Sequence, residues 1–435
     1  MSGLMIAAPT TGSGKTTVTL GLLRALKKAG YPIAPGKAGP DYIDPAFHAA
    51  ASGEVCLNFD PWGMRRELLL ANAALHMQGG RTLVIEAMMG LFDGAADGSG
   101  SAADLAKILG LSVILVVDCS KSSHSIAALV SGFANFRVDT RIVGVVLNRV
   151  GSARHEAMLR SAMDKIRMPV FAVIRAEQAL VVPERHLGLV QAGEHEELEA
   201  FIDHASDVVA GTMDLSMLIR AARAIPDRTS DANIARLAPL GQRIAVARDI
   251  ASAFCYEHML MGWQRRGAEI SLFSPLADEG PGADCDAVYL PGGYPELHAA
   301  KIAAASRFRA GVLAAQDRGA LIFGECGGYM VMGEGLIDAD GVSHEMLGLL
   351  PVVTSYQKRT RHLGYRRLTP VDGSIFDSPL CGHEFHYATI VSEGEGERLF
   401  TAEDALGTDL GAQGLRRKNV AGSFMHLIDI AGPAR

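Results

Sequence analysis

A chain of 435 residues exceeds one ordinary hydrophobic core, so two domains are expected. Hydrophobic residues at 49% and charged ones at 20% exclude a disordered or fibrous chain, and a net charge of −7 argues against a general nucleic-acid binder. The six cysteines are scattered without a C-x-x-C pair, which suits reduced thiols rather than a disulfide frame or a zinc site.

LMIAAP (4–9) reads as a buried strand, and TTVTLGLLRALKKAG (16–30) as an amphipathic helix stopped by Gly30. Between them lies APTTGSGKTT (8–17), close to the phosphate-binding pattern G-x-x-x-x-G-K-[ST] but with Pro9 at the first glycine. In such a loop backbone N–H groups wrap the phosphates at the positive end of a helix. Gly12, Ser13, Gly14, Lys15, Thr16 and Thr17 supply the binding groups, and Pro9 alters only the entry. Partition-type ATPases carry an extra lysine near the start of the loop, where Thr10 stands here.

RTLVIEA (81–87), LSVILVVDC (111–119) and RIVGVVLNRV (141–150) are continuous β-rich runs separated by helical stretches. They predict parallel strands covered on both faces, hence a doubly wound α/β domain over residues 1–225. Acids cluster where a magnesium–nucleotide site would need them: Asp41 and Asp44 in KAGPDYIDPAFH (37–48), Glu86 and Asp93 in IEAMMGLFDG (85–94), and Asp118 as a weaker fifth. Asn148, ending VVLN, is placed either to contact a nucleotide base or to cap its loop. No apolar run reaches the roughly 18 residues of a membrane span, and the amino terminus lacks a basic region and cleavage site. A cytoplasmic location is expected.

Residues 220–242 are polar and proline-punctuated, which places a linker at 226–240 and a second α/β domain at 241–435. RIAVARD (243–249), DAVYLPGGYPE (286–296) and ALIFGECGGYM (320–330) are its strands, the last two running into glycine-rich turns. Cys326 ends an apolar strand between Gly324, Gly327 and Gly328, the layout of a nucleophile elbow. Backbone N–H groups of Gly327 and Gly293 are candidates for the oxyanion hole, and a following helix would lower the thiol pKa. His426 in AGSFMHL (421–427) is the candidate base.

GECGGYM and PGGYPE resemble the class I-like glutamine amidotransferase domain. With APTTGSGKTT, KAGPDYIDPAFH and MMGLFDG, the chain from about residue 4 to 427 resembles the cobyrinic or hydrogenobyrinic acid a,c-diamide synthase family of cobalamin biosynthesis. The first half is also similar to dethiobiotin synthetase, so the resemblance implies a P-loop NTPase-like sheet followed by the amidotransferase domain. It implies ATP and Mg²⁺ as cofactors, and a corrinoid polycarboxylate and L-glutamine as substrates. Thr16, Asp41 and Glu86 would hold the metal, while Tyr42, Asp44 and Asp93 would place the corrinoid. Basic stretches at 358–367 and 149–155 are candidates for meeting its carboxylates.

Two departures stand out. Ala87 replaces a glycine of the family's E-G-x-M-G-L run, and His426-Leu427-Ile428-Asp429 lacks the H-x-E glutamate that orients the histidine in most class I members. A Cys326–His426 pair is therefore expected, with Asp429 or Glu384 as candidates to orient the imidazole. Cobyric acid synthase, a nickel-tetrapyrrole relative, and a nucleotide switch with a relic amidotransferase domain stay open as rival readings. The metal content of the ring and assembly as a homodimer stay open too, the resemblance leaning toward metal-free hydrogenobyrinic acid.

Overall fold

Strands with Val, Ile and Leu at every position can be stable only if both faces are covered, and the first half is built that way. The computed structural model describes residues 2–180, 184–185, 188–189, 191–192, 197–226 and 234–432. It separates into two units, Met1–Trp62 with Arg66–Ile234 and Gly63–Arg65 with Ala235–Arg435. No helix among the described residues is long and apolar enough to cross a membrane.

In the first unit β1 (Ser2–Ala7), β2 (Ile33–Ala38), β3 (Leu57–Phe59), β4 (Thr82–Glu86), β5 (Ser112–Asp118), β6 (Arg141–Val150) and β7 (Val170–Arg175) form a sheet in the order β3-β2-β4-β1-β5-β6-β7. These strands all pair in parallel. The chain order reverses around β1, and the carboxyl ends of β1, β4, β5 and β6 gather at one edge, where ligands bind in open α/β sheets. Helix α1 (Lys15–Lys28) follows β1, and α2 (Asp44–Ser52) follows β2. On the far side of α1, Gly21 lets α3 (Leu198–Thr212) approach so closely that a side chain there would sit 2.5 Å from the Ala205 carbonyl oxygen.

The polar stretch 220–242 is ordered at its start, ahead of the linker expected at 226–240. Residues 220 and 221 end a helix (Leu215–Ala221), and Arg223–Ala224 pairs antiparallel with Ser2 and Gly3 of β1. The pairing hides backbone polar groups at the sheet end, which a composition-based reading does not register. Residues 227–233 of that stretch lie outside the described residues.

The second unit carries β8 (Arg243–Ala247), β9 (Glu269–Phe273), β10 (Ala287–Leu290), β11 (Leu321–Glu325) and β14 (Val420–Ser423) in a six-stranded sheet ordered β9-β8-β10-β11-β14, closed by an antiparallel edge, Leu415–Arg417. A five-stranded antiparallel sheet holds β12 (His362–Pro370), β13 (Leu380–His386) and β15 (Met425–Ile430). Leaving β14 at Ser423, the chain joins β15 at Met425, and this change of sheet sets His426 opposite His383 on β13.

Candidate functional site

Gly12 and Gly14 have φ of +79° and +88°, left-handed values that a side chain would strain, so both loop positions require glycine. Gly14 is the N-cap of α1, and Lys15 is its buried first residue. Ser13 donates from its hydroxyl to the Thr10 carbonyl at 2.9 Å, and Asn148 donates from Nδ2 to the Ser13 carbonyl at 2.9 Å. Thr17 donates to the Leu180 carbonyl at 3.1 Å. Gly14, Thr17, Asn148, Arg149, Arg175 and Leu180 line one pocket beside the loop, so Asn148 faces it as expected while also bracing the loop. Pro9 leads the chain past the Met/Gly segment, its carbonyl 2.6 Å from where a Gly90 side chain would be.

Three of the acids named from the sequence, Asp41, Asp44 and Glu86, meet around the ammonium of Lys37, a group with no role in the motif reading. Lys37, the penultimate residue of β2, has its side chain 3% exposed. It pairs with Asp44, with Glu86 Oε1 at 3.0 Å and with Asp41 Oδ2 at 3.6 Å. Thr16 donates its hydroxyl to Glu86 Oε1 at 2.8 Å, and His48 Nε2 lies 2.7 Å from Glu86 Oε2. Burial works against a charged Lys37, but Asp44 and Glu86 outweigh it and hold its pKa well above the usual value. Burial likewise opposes ionised Glu86, which Lys37 and His48 nonetheless hold below the carboxylate range. Burial, with Asp41 nearby, raises Asp44 to about 7. Burial also lowers Lys15, with Glu86 opposing that shift.

Thr16, Asp41 and Glu86 offer only hard oxygen donors, the chemistry that suits Mg²⁺, and the first and last already touch. Asp41 accepts from the N–H groups of Ile43 and Asp44 at 2.9 and 3.0 Å, which fixes it at the start of α2. Asp44 is enclosed with Lys37, whereas Tyr42 is half-buried and Asp93 is exposed with its Oδ2 accepting from Gly90 N–H at 3.0 Å. Asp118 is paired with Arg149 at 2.6 Å, outside this group.

In the second unit Cys326 stands between β11 and the short helix α4 (Gly327–Met332), at φ 47° and ψ −106°. A non-glycine residue there stores about 1–3 kcal/mol of backbone strain. The surrounding glycines are fixed by contact: a side chain on Gly328 would sit 1.9 Å from the Leu290 carbonyl oxygen, and one on Gly293 2.0 Å from that of Ala251. One on Gly327 would be 2.9 Å from the Gly293 amide nitrogen, so the two expected oxyanion donors share one place. One on Gly292 would be 2.3 Å from His426 Cε1, 3.1 Å from Nε2 and 3.3 Å from Cys326 Cβ, so the candidate nucleophile and base both border Gly292. The thiol differs from expectation. Burial pushes its pKa up, with Glu296 adding to the rise, and the six-residue helix does not offset this.

Both carboxylates expected to orient His426 are engaged by other cations or rings. Asp429 accepts from Arg65 Nε at 2.9 Å and Nη2 at 3.0 Å, while Glu384 is held by Arg366 at 2.6 Å and His386 at 3.0 Å. A bulge at Ile428 interrupts the alternation of β15, and the Asp429 carboxylate beyond it is taken up by Arg65. The carboxylate beside the imidazole is Glu325, with Oε2 3.9 Å from His426 Nδ1. His362, Glu384 and His386 cluster closely enough to suggest a cation site, but the two rings stack at 4.6 Å and 12°, so their in-plane lone pairs run parallel rather than converging.

Buried neutral histidines make this unit acid-sensitive. Burial lowers His258 to about 4, and His383 and His426 to about 3, from 6.5. Between 6.5 and those values the unfolded chain binds protons that the folded chain does not. Each histidine then removes roughly 1.4 kcal/mol of stability per pH unit as the pH falls. Denaturant midpoints followed from pH 7 down to about 4.5 should decline steadily. A flat midpoint over that range would show these rings to be protonated in the folded protein.

A phosphate loop in one unit and a cysteine elbow in the other define the class, and two family models match accordingly. The CobQ/CobB/MinD/ParA nucleotide binding domain matches residues 4–190, and the CobB/CobQ-like glutamine amidotransferase domain matches residues 243–432. The chain is 67% identical over 434 residues to a hydrogenobyrinate a,c-diamide synthase of Sinorhizobium sp, covering 100% of both chains. It is 66% identical to the enzyme of that name from Rhizobium meliloti (strain 1021), over 99% of this chain and 100% of the relative. The one from Rhodobacter capsulatus is 49% identical over 98% of each. The chain belongs to the hydrogenobyrinate a,c-diamide synthase family.

Proposed function

We propose that this protein is a glutamine-dependent carbon–nitrogen ligase that uses ATP to convert the a and c acetate carboxylates of hydrogenobyrinic acid into amides, in cobalamin biosynthesis. The observation that carries the reaction type is the pairing, in one chain, of a lysine-bearing phosphate loop with a cysteine elbow facing a histidine. The full-length identity to the synthases named above supports the substrate. On this reading residues 1–225 are the synthetase domain and 241–435 the amidotransferase domain. The free thiols of all six cysteines support a reducing, cytoplasmic setting.

An ionised carboxylate does not react with ammonia, because oxide is a poor leaving group. Its oxygen attacks the γ-phosphorus of ATP, the bond to ADP breaks, and the resulting acyl phosphate carries phosphate as leaving group. Gly12 to Thr17 wrap the phosphates, and Lys15 offsets the charge that moves onto them. Thr16, Asp41 and Glu86 would hold Mg²⁺, which supplies further neutralisation of that charge. Tyr42, Asp44 and Asp93 place the corrinoid, Asp44 being also the partner of Lys37. Asn148 addresses the nucleotide base.

Cys326 attacks the side-chain amide carbon of glutamine, with Gly293 and Gly327 N–H groups receiving the oxyanion. His426 takes the thiol proton and gives it to the departing ammonia, and water then releases glutamate from the thioester. Ammonia attacks the acyl phosphate, phosphate leaves, and the cycle repeats on the second arm.

Incubating the protein with hydrogenobyrinic acid, ATP and glutamine should yield a product in which two carboxylates have become amides, counted by mass. Four amides would make it a cobyric acid synthase, and none would remove the ligase reading. Running cobyrinic acid in parallel identifies the ring it prefers.

A further inference from the structure

Glu325 is neither nucleophile nor proton donor to the leaving group, yet it closes β11 directly before Cys326 with its side chain 1% exposed. An isolated anion at such a position is strongly disfavoured, so a carboxylate there must be matched by its surroundings. Its partners are specific. Oε1 accepts from the Leu427 N–H at 3.1 Å, which ties it to the backbone of the residue after His426. Oε2 accepts from the Tyr289 hydroxyl at 2.7 Å and lies 3.9 Å from His426 Nδ1. Cε1 and Nε2 of the same ring are the atoms that border Gly292 beside Cys326.

We propose that Glu325 is the positioning carboxylate of the Cys326–His426 pair, taking the place of the glutamate that the H-x-E pattern would have put after the histidine. The proposal rests on the reading of Cys326 and His426 as the glutamine-cleaving pair. Through the Leu427 amide Glu325 fixes the strand that carries His426, and its charge faces Nδ1. Nε2 is thereby left as the atom that accepts the Cys326 proton and passes it to the leaving nitrogen. Glu325 itself gains and loses no proton in the cycle. Burial opposes the charge on Glu325 and on His426 alike, and for Glu325 the Tyr289 hydroxyl and the Leu427 N–H work the other way. At 3.9 Å the link is electrostatic rather than a hydrogen bond.

The test is Glu325→Gln in the full-length protein, read by glutamine hydrolysis and by ammonia-dependent amidation. Hydrolysis kcat should fall on the order of 10²-fold with KM for glutamine held within about twofold, and ammonia-dependent amidation should persist. The acid limb of the hydrolysis kcat/KM profile should move to lower pH, because removing the anion makes the imidazole harder to protonate. His383, His386 and Glu384, the other titratable groups acting on His426, stay in place in this variant, as does Arg366 on Glu384. Tyr289→Phe removes one donor to the carboxylate and should shift the same limb in the same direction by less. An unmoved limb with unchanged kcat overturns the proposal, as does joint loss of both activities with a lowered melting temperature. Wild-type protein that hydrolyses no glutamine overturns the underlying reading as well, so the two failures are told apart.

Discussion

Glutamine-dependent amidation should drop by at least about 10⁴-fold in Cys326→Ala, while amidation fed with ammonia continues. The asymmetry follows from where Cys326 stands. Gly328 and Gly293 beside its elbow have their side-chain space taken by backbone, so no neighbouring position can supply a replacement side chain. Burial keeps the thiol protonated at neutral pH, which makes His426 necessary for attack and leaves alanine with no bypass. The phosphate-loop chemistry needs none of these atoms. Measuring corrinoid amides with either nitrogen source decides the matter, and glutamine-dependent synthesis persisting in the variant would take the thiol out of the reaction.

The second large effect is expected at Lys37. Replacing it by methionine leaves Asp44 and Glu86 buried at 5% and 1% exposure without their shared cation. Breaking one partner out of a buried ion group costs about 3–5 kcal/mol, because the remaining charges stay enclosed. Urea denaturation should register that loss, and ATP-dependent amidation should fall with it whether glutamine or ammonia is supplied. Lys37→Arg should not restore the protein, since a planar guanidinium cannot replace a compact ammonium among three carboxylates. A methionine variant with wild-type stability would mean that Lys37 is not the counter-ion of this cluster.

Lys37 also shows where sequence reading stops. Unbroken apolar runs made β1, β5 and β6 legible within a few residues, since a parallel strand covered on both faces leaves little else to consider. Glu86 was legible for the same reason, as a charge ending such a run. Lys37 in IAPGKA and Glu325 in LIFGE carry the same signal, a charge at the end of a buried strand, but each was read as part of a neighbouring motif. The antiparallel sheet of β12, β13 and β15 was not legible. Its strands alternate and contain buried charges such as Arg366, and the register that sets His426 opposite His383 is a long-range property. The choice of a carboxylate partner for His426 falls in that gap.

Gly63–Arg65 belongs to the second unit although it lies in the first sixth of the chain. Arg65 meets Asp429 through its backbone N–H at 3.0 Å and through its guanidinium, and Gly63 packs where any side chain would strike Ile428 at 2.7 Å. The amidotransferase half is thus not a contiguous stretch of gene. A fragment expressed from the expected linker onward would carry Asp429 with no cation and an uncovered Ile428. Separating the two activities therefore calls for point variants in the intact chain, and a recombination event at the linker would deliver an incomplete domain.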